Sequence, residues 1–327
     1  MKSKITKVLQ FLFFLLTGLA LLYFAFRGID LDEVILQIQQ ADYRWVAFSG
    51  FFCVLALVVR AFRWRLLIEP LNDRPPTTVN IYHAITIGYL ANFVFPRIGE
   101  VTRCGVLNRI DKIPIDKLFG TVVVERAFDL LMTALMLCLI LILRFDVVGS
   151  FFAEHLIQPI AGVMNIGLIA ALVALILFTS LWIFRKQLSK ISVLRKLKNL
   201  LHGVLEGIKS VRQLRNFKLF FVLNILVFVI YFLQAYVLFF AFESSSSLSA
   251  VDALFVFVLS AIAIIIPVQG GIGAFHWIVS IGLTILGLSR EEGMVYATVS
   301  HSVTSILLIL TGAISLIFVF SMKKNKN

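Results

Sequence analysis

The chain has 327 residues, 60% of them hydrophobic and 15% charged, with a mean hydropathy of +0.97. That balance excludes an ordinary soluble domain and identifies an integral membrane protein. The formal net charge of +12 is clustered beside apolar segments, so it reports membrane topology and argues against nucleic-acid binding.

The N-terminus carries Lys2, Lys4 and Lys7 ahead of an apolar run from Val8 to Phe26 that lacks a small-residue cleavage site, so it reads as a retained first helix. About 20 mostly apolar residues are needed to span a bilayer. Six segments qualify: Val8 to Phe26, Trp45 to Ile68, Phe119 to Leu143, Gly167 to Phe184, Leu219 to Phe242 and Gly293 to Phe320. Two more regions, Ile81 to Ile110 and Ala250 to Leu288, are each divided by proline and glycine, at Pro96 and at Pro267. The predicted fold is an all-α polytopic membrane protein, with six full spanning helices plus two broken or re-entrant helical hairpins. For the second hairpin, two short spanning helices are the alternative. Cys53, Cys104 and Cys138 lie in or beside apolar segments and are odd in number, so they read as buried thiols without a disulfide framework.

Short cytoplasmic loops carry Lys and Arg. The acid-rich loop from Arg27 to Arg44 then reads as outside, whereas Arg60, Arg63, Arg65, Arg74, Lys112 and Lys117 read as cytoplasmic. The segment 185–218 holds ten basic residues against Glu206. Its apolar residues Ile191, Leu194, Leu197, Leu201, Leu205 and Ile208 have the spacing of an amphipathic helix on the membrane surface. Both termini are expected in the cytoplasm. Within a single domain, 1–327, the halves 1–150 and 151–327 each read as helix, helix, broken hairpin, helix, with inverted topology.

Non-helical backbone survives at membrane depth only where protein buries it or water reaches it, and paired broken segments point to a substrate site. After each break a helix is expected to restart, near Arg97 and near Ile272, offering N–H groups to an anion. The first break supplies Asn92, Pro96, Arg97, Gly99, Glu100 and Arg103, with Glu100 at i+3 from either arginine and able to pair with it. The second supplies Gln269, Gly270, Gly271, Gly273 and His276. As an alternative, the two arginines are interfacial anchors. Glu125, Arg126 and Asp129 lie inside an apolar run and need partners, which suggests either an internal network or a role in gating and coupling. His301, with Thr298 and Ser305 on its face, forms a polar stripe suited to coupling or to plain helix packing. No nucleophile motif, phosphate-loop consensus or histidine pair at metal-ligand spacing occurs, so no catalytic group, metal or cofactor is expected.

The run Gly88 to Glu100, followed by Arg103, Gly120-Thr121-Val122 and Glu125-Arg126-Ala127-Phe128-Asp129, resembles the flippase-like membrane domains. These are typified by the membrane region of bacterial lysylphosphatidylglycerol synthetase and by stand-alone uncharacterised relatives. Pro267 with Gly270-Gly271-Ile272-Gly273 is similar to that family's second motif. The resemblance implies binding and transbilayer movement of an anionic phospholipid or polyprenyl-phosphate-linked lipid in a bacterial inner membrane. The chain ends at Asn327, after its last helix, so no aminoacyl-transfer domain is expected. A membrane enzyme or enzyme subunit of envelope lipid or glycan synthesis, and a non-transporting scaffold that recruits partners through 185–218, are the other readings.

Overall fold

A computed structural model describes residues 2–71, 75–145, 214 and 216–324, with side chains described between Gln10 and Ser321 in the terminal helices. All regular structure among these residues is helical: α1 (Lys2–Phe26), α2 (Leu31–Gln39), α3 (Tyr43–Ile68), α4 (Thr78–Asn92), α5 (Gly99–Asp111), α6 (Ile115–Leu143), α7 (Phe217–Phe239), α8 (Ala250–Ile265), α9 (Ala274–Ile285) and α10 (Arg290–Lys324). Local chemistry sets several boundaries. Asp30 and Asp42 cap α2 and α3 by accepting backbone N–H bonds, and Ser249 with Asp252 forms a capping box at α8. Lys112, with φ +59°, ends α5 in the left-handed conformation.

Four helices are long and apolar enough to cross a membrane: α3 with the turn after it, α6, α7 and α10. The α1–α2 pair, bent by 89°, makes a fifth candidate. The predicted span Gly167 to Phe184, positions 185–213 of the basic segment and the boundary between the expected halves lie outside the described residues. Two expectations change here. Cys138 on α6 is exposed, whereas Cys53 and Cys104 are buried as expected. The loop between α1 and α3 contains a nine-residue helix, α2, because Asp30 caps it and Val34 anchors it in the core.

Contacts between α3 and α7 give the topology. Asp42 N donates to Ala241 O, Ser49 Oγ to Gln234 O, and Arg63 Nη1 to Asn224 Oδ1, so the two helices run antiparallel. The first hairpin, α4–α5, begins at the Ile68 end of α3. It returns there too, because α6, which follows it, is tied to that end by the Trp64 Nε1 bond to Thr121 Oγ1. The far end of α6 pairs Arg144 with Asp252 at the start of α8. The second hairpin, α8–α9, therefore begins at the Tyr43 end. It also returns there, since Tyr296 near the start of α10 donates to Ala235 O late in α7. α10 then crosses to the Ile68 end, where Ser315 meets His83 and Phe320 stacks on Arg109. Helix, hairpin, helix thus occurs twice among the described residues, with hairpins entering from opposite ends.

The hairpin arms contain 15, 13, 16 and 12 residues. At 1.5 Å rise per residue even the longest reaches only about 24 Å, short of a hydrocarbon core about 30 Å thick. Each arm is thus shorter than a usual span, the length expected of a re-entrant hairpin. In the first, a Cβ on Gly99 would run into Gly88 O, so the arms touch backbone to backbone. Leu130, Leu135, Leu139 and Ile142 on α6, and Ile306, Leu310, Ile314 and Ile317 on α10, form exposed apolar stripes suited to lipid.

Candidate functional site

The two breaks touch each other. Arg97, left-handed at φ +62°, donates from Nη2 to the carbonyl of Ile265, the last residue of α8. A non-glycine residue in this conformation costs about 1–2 kcal/mol and is kept only where its surroundings over-determine it. Buried Gln269 donates to Val94 O at 3.1 Å and to Phe11 O at 3.4 Å. Gly270 has φ +59°, and a Cβ there would lie 2.6 Å from the Phe93 ring. Its carbonyl accepts from His301 Nε2 at 2.8 Å. Gly273, at φ +82°, packs against the α1 backbone, with Gly18 O 2.5 Å from the position of a Cβ.

Beside this junction a small cleft of about 40 Å³ opens between the first hairpin, α3 and α6, lined by Arg60, Tyr89, Asn92, Glu100, Arg103 and Arg126 among others. It has room for a water-sized group. Beneath it lies a buried charge network centred on Glu125, which is 0% exposed. Glu125 Oε1 accepts from Arg60 Nη2 and Arg63 Nη2, both at 2.7 Å, and from Arg126 Nη2 at 2.8 Å. Arg103 Nη1 lies 2.9 Å from Glu125 Oε2. Asp129 takes Arg63 at 2.7 Å and Arg126 at 2.9 Å. Arg60 also donates to Tyr231 OH at 3.0 Å, and the Arg103 guanidinium stacks over Trp64 at 4.3 Å.

Among the described residues, four guanidinium groups face two carboxylates in this network, a formal excess of two positive charges. Buried charge is tolerated when it is paired. Here some groups are unpaired: the Nε of Arg60, Arg63 and Arg126, both Nε and Nη2 of Arg103, and the acceptor Glu125 Oε2 are buried without a hydrogen-bond partner among the described residues. Arg103 uses Nη1 on Glu125, and its free Nε–Nη2 edge is the fork that binds a carboxylate or phosphate in bidentate fashion. Chemically, the arrangement offers unused guanidinium donors beside a cleft whose lining also includes the carboxylate of Glu100.

The sequence-predicted residues separate into two groups. Asn92, Gly99, Glu100, Arg103 and Arg126 line the cleft; Glu125 and Asp129 support it from below, and the expected internal network is present. Gln269, Gly270, Gly271 and Gly273 build the tip junction instead, with Gly271 beside His301. Pro96 and Arg97 sit on the first tip. His276 packs 4.8 Å from His301, behind the second tip.

Two expectations are corrected. Glu100 does not pair with Arg97 or Arg103: Arg97 reaches across to Ile265 and Arg103 turns to α6, where Glu125 already collects arginines. The helix restarts lie two residues later than Arg97 and Ile272. α5 begins at Gly99, whose N–H is taken by Asn92 Oδ1 at 2.7 Å, and α9 begins at Ala274 after Gly273 has packed on α1. Asn92→Ala should therefore act as a lost cap, costing about 1 kcal/mol; an unchanged unfolding midpoint would remove that assignment.

Arg60, Arg63, Tyr89 and Asn224 complete the site but were absent from the expected residues. By charge placement alone Arg60 and Arg63 read as topology markers. Their spacing of i,i+3 within an otherwise apolar helix was the missed signal, since ionisable groups inside a span are functional by default.

The family described as Lysylphosphatidylglycerol synthase TM region matches residues 8–312. The chain is 31% identical over 202 residues to the UPF0104 membrane protein MJ1595 of Methanocaldococcus jannaschii, covering 59% of this chain and 55% of that protein. It is 35% identical over 107 residues to the glycosyltransferase AglD of Haloferax volcanii, covering 32% of this chain and 17% of that protein. The chain thus spans about half of the first relative and a small part of the second. No solved structure matches.

Proposed function

Since the chain belongs to the family of the lysylphosphatidylglycerol synthase TM region, we propose that its cleft binds the phosphate of an anionic phospholipid or polyprenyl-phosphate-linked lipid and that the protein moves this headgroup between leaflets. The observation that carries the reading is the unpaired Nε–Nη2 edge of Arg103, buried in a network with excess positive charge. Arg60 and Arg126 add charge around the phosphate, and the half-exposed Arg126 stands at the margin of the cleft. Because the cleft is water-sized, a headgroup enters only when the first hairpin shifts. Re-entrant hairpins meeting from opposite ends suit that motion, as in transporters built from inverted repeats. The protein acts as a transporter and not as an enzyme. It sits in the plasma membrane with both termini cytoplasmic, the Ile68 end of α3 facing that side, in keeping with the placement of Lys and Arg.

The test is reconstitution into liposomes with leaflet-specific lipid labels. Wild-type protein should accelerate transbilayer exchange. Each charged hydrogen bond is worth about 1.5–3 kcal/mol, so Arg103→Ala should weaken headgroup binding by about tenfold or more. Absence of acceleration for every phospholipid and polyprenyl phosphate tried rejects the reading. The partial likeness to a glycosyltransferase favours a second one, in which the protein is a membrane enzyme or enzyme subunit of envelope lipid or glycan synthesis; covalent change of the lipid during the assay would support it.

A further inference from the structure

Behind the second tip, away from the arginine cleft, lies a pair of histidines that the anion site does not use. His276 on α9 is 6% exposed, and its ring centroid is 4.8 Å from that of His301 on α10. A carbonyl can only accept, so the contact of His301 Nε2 with Gly270 O puts the hydrogen on Nε2. Nδ1 of the neutral ring then faces Ser305 Oγ at 3.4 Å. His276 Nδ1 is buried without a partner among the described residues, as is Thr298 Oγ1, one turn before His301 on α10. Among the described residues, the ring and hydrogen-bond neighbours of the two histidines are Phe26 from α1, Phe275 from α9, Ser305 from α10 and Gly270 from the tip, with Gly271 beside His301, and none of them is charged.

We infer that His276 and His301 form a proton-accepting site that couples protonation to separation of the two hairpin tips. These neighbours offer an imidazolium one carbonyl, Gly270 O, but no counter-charge, and placing a lone charge in such buried surroundings is costly. Two imidazolium ions 4.8 Å apart would repel as well, so the pair takes one proton at most. While the tips are closed, both rings stay neutral. When Gly270 withdraws from His301 and water enters, an N–H bond forms at Nδ1 of one ring with a proton from bulk solvent, and the positive charge stays on the pair. The open state therefore binds one more proton than the closed state, and acidification favours opening.

The site is connected to the cleft through the junction. His301 holds Gly270, Gly270 packs on Phe93, and Gln269 holds Val94 on the first tip, next to Asn92 and Gly99 in the cleft lining. A proton at the second tip is thereby felt at the first. The inference stands apart from the identity of the lipid.

Hydrogen–deuterium exchange on the full chain in liposomes tests it, with tip residues 93–98 and 266–273 followed between pH 8 and pH 5. Rates are corrected for intrinsic exchange and referred to peptides of α3. Wild-type tips should lose protection by up to about tenfold per pH unit, the limit for one proton. His301→Gln, which keeps a donor for the Gly270 carbonyl, and His276→Phe, which keeps an aromatic ring in the pocket, should each flatten the response. Arg103→Ala should retain it even if lipid binding is lost. Tip protection that is constant with pH in the wild type, or a response that survives in both histidine variants, overturns the inference.

Discussion

Replacing Glu125 with alanine should destabilise the protein more than any other single change in the network. Its carboxylate contacts four arginines, and removing it leaves Arg60, Arg63, Arg103 and Arg126 with only Asp129 as counter-charge among the described residues. Breaking a buried pair by deleting one partner costs about 3–5 kcal/mol, since the abandoned charge remains buried. Several such charges remain here. The unfolding midpoint of purified protein should fall sharply. Asp129→Ala should cost less, because Asp129 pairs with two arginines and its side chain is 17% exposed. Equal midpoints for wild type and Glu125→Ala would show that the arginines are held by lipid or water and not by this carboxylate.

Gly99→Ala should cause the second large loss. The new methyl would collide with Gly88 O and meet the Asn92 side chain at 2.7 Å, so the two arms of the first hairpin must part. Overpacking typically costs about 1–3 kcal/mol, and the Asn92 bond that starts α5 would be broken as well. Gly282→Ala is the informative comparison. There a Cβ would collide with Leu259 Cδ1, nominally a worse clash, but that atom is the end of a flexible side chain and can rotate away. Unfolding midpoints should rank Gly282→Ala well above Gly99→Ala. The reverse order would mean that the first hairpin is loosely packed and its arms separate cheaply.

Much of the architecture was legible before the structure. Apolar length located α3, α6, α7 and α10, and Pro96 and Pro267 located the tips, because a membrane helix fails visibly where its backbone bonds cannot continue. The cluster of Glu125, Arg126 and Asp129 was legible for a related reason: charges in an apolar run must find partners. The partners were not legible. Arg60 and Arg63 lie 65 and 62 residues before Glu125, at a place where positive charge also serves to orient a helix. One dimension does not separate those two roles. At the second break the glycines are legible but their neighbours are not: the missing side chains of Gly270 and Gly273 admit Phe93 and the α1 backbone.

By itself the sequence determined that the protein lies in a membrane, where its helices break and which charges are too deep to be idle. These follow from local properties, apolar length and the cost of unpaired polar groups in lipid. Only the tertiary structure decided that the two breaks meet, with Gln269 bonding Val94 across 175 residues, and that Arg103 turns one edge to Glu125 and leaves the other free. The physical reason is that hydrogen bonds and ion pairs are satisfied by whichever group packing brings within about 3 Å, and no local pattern encodes that neighbour.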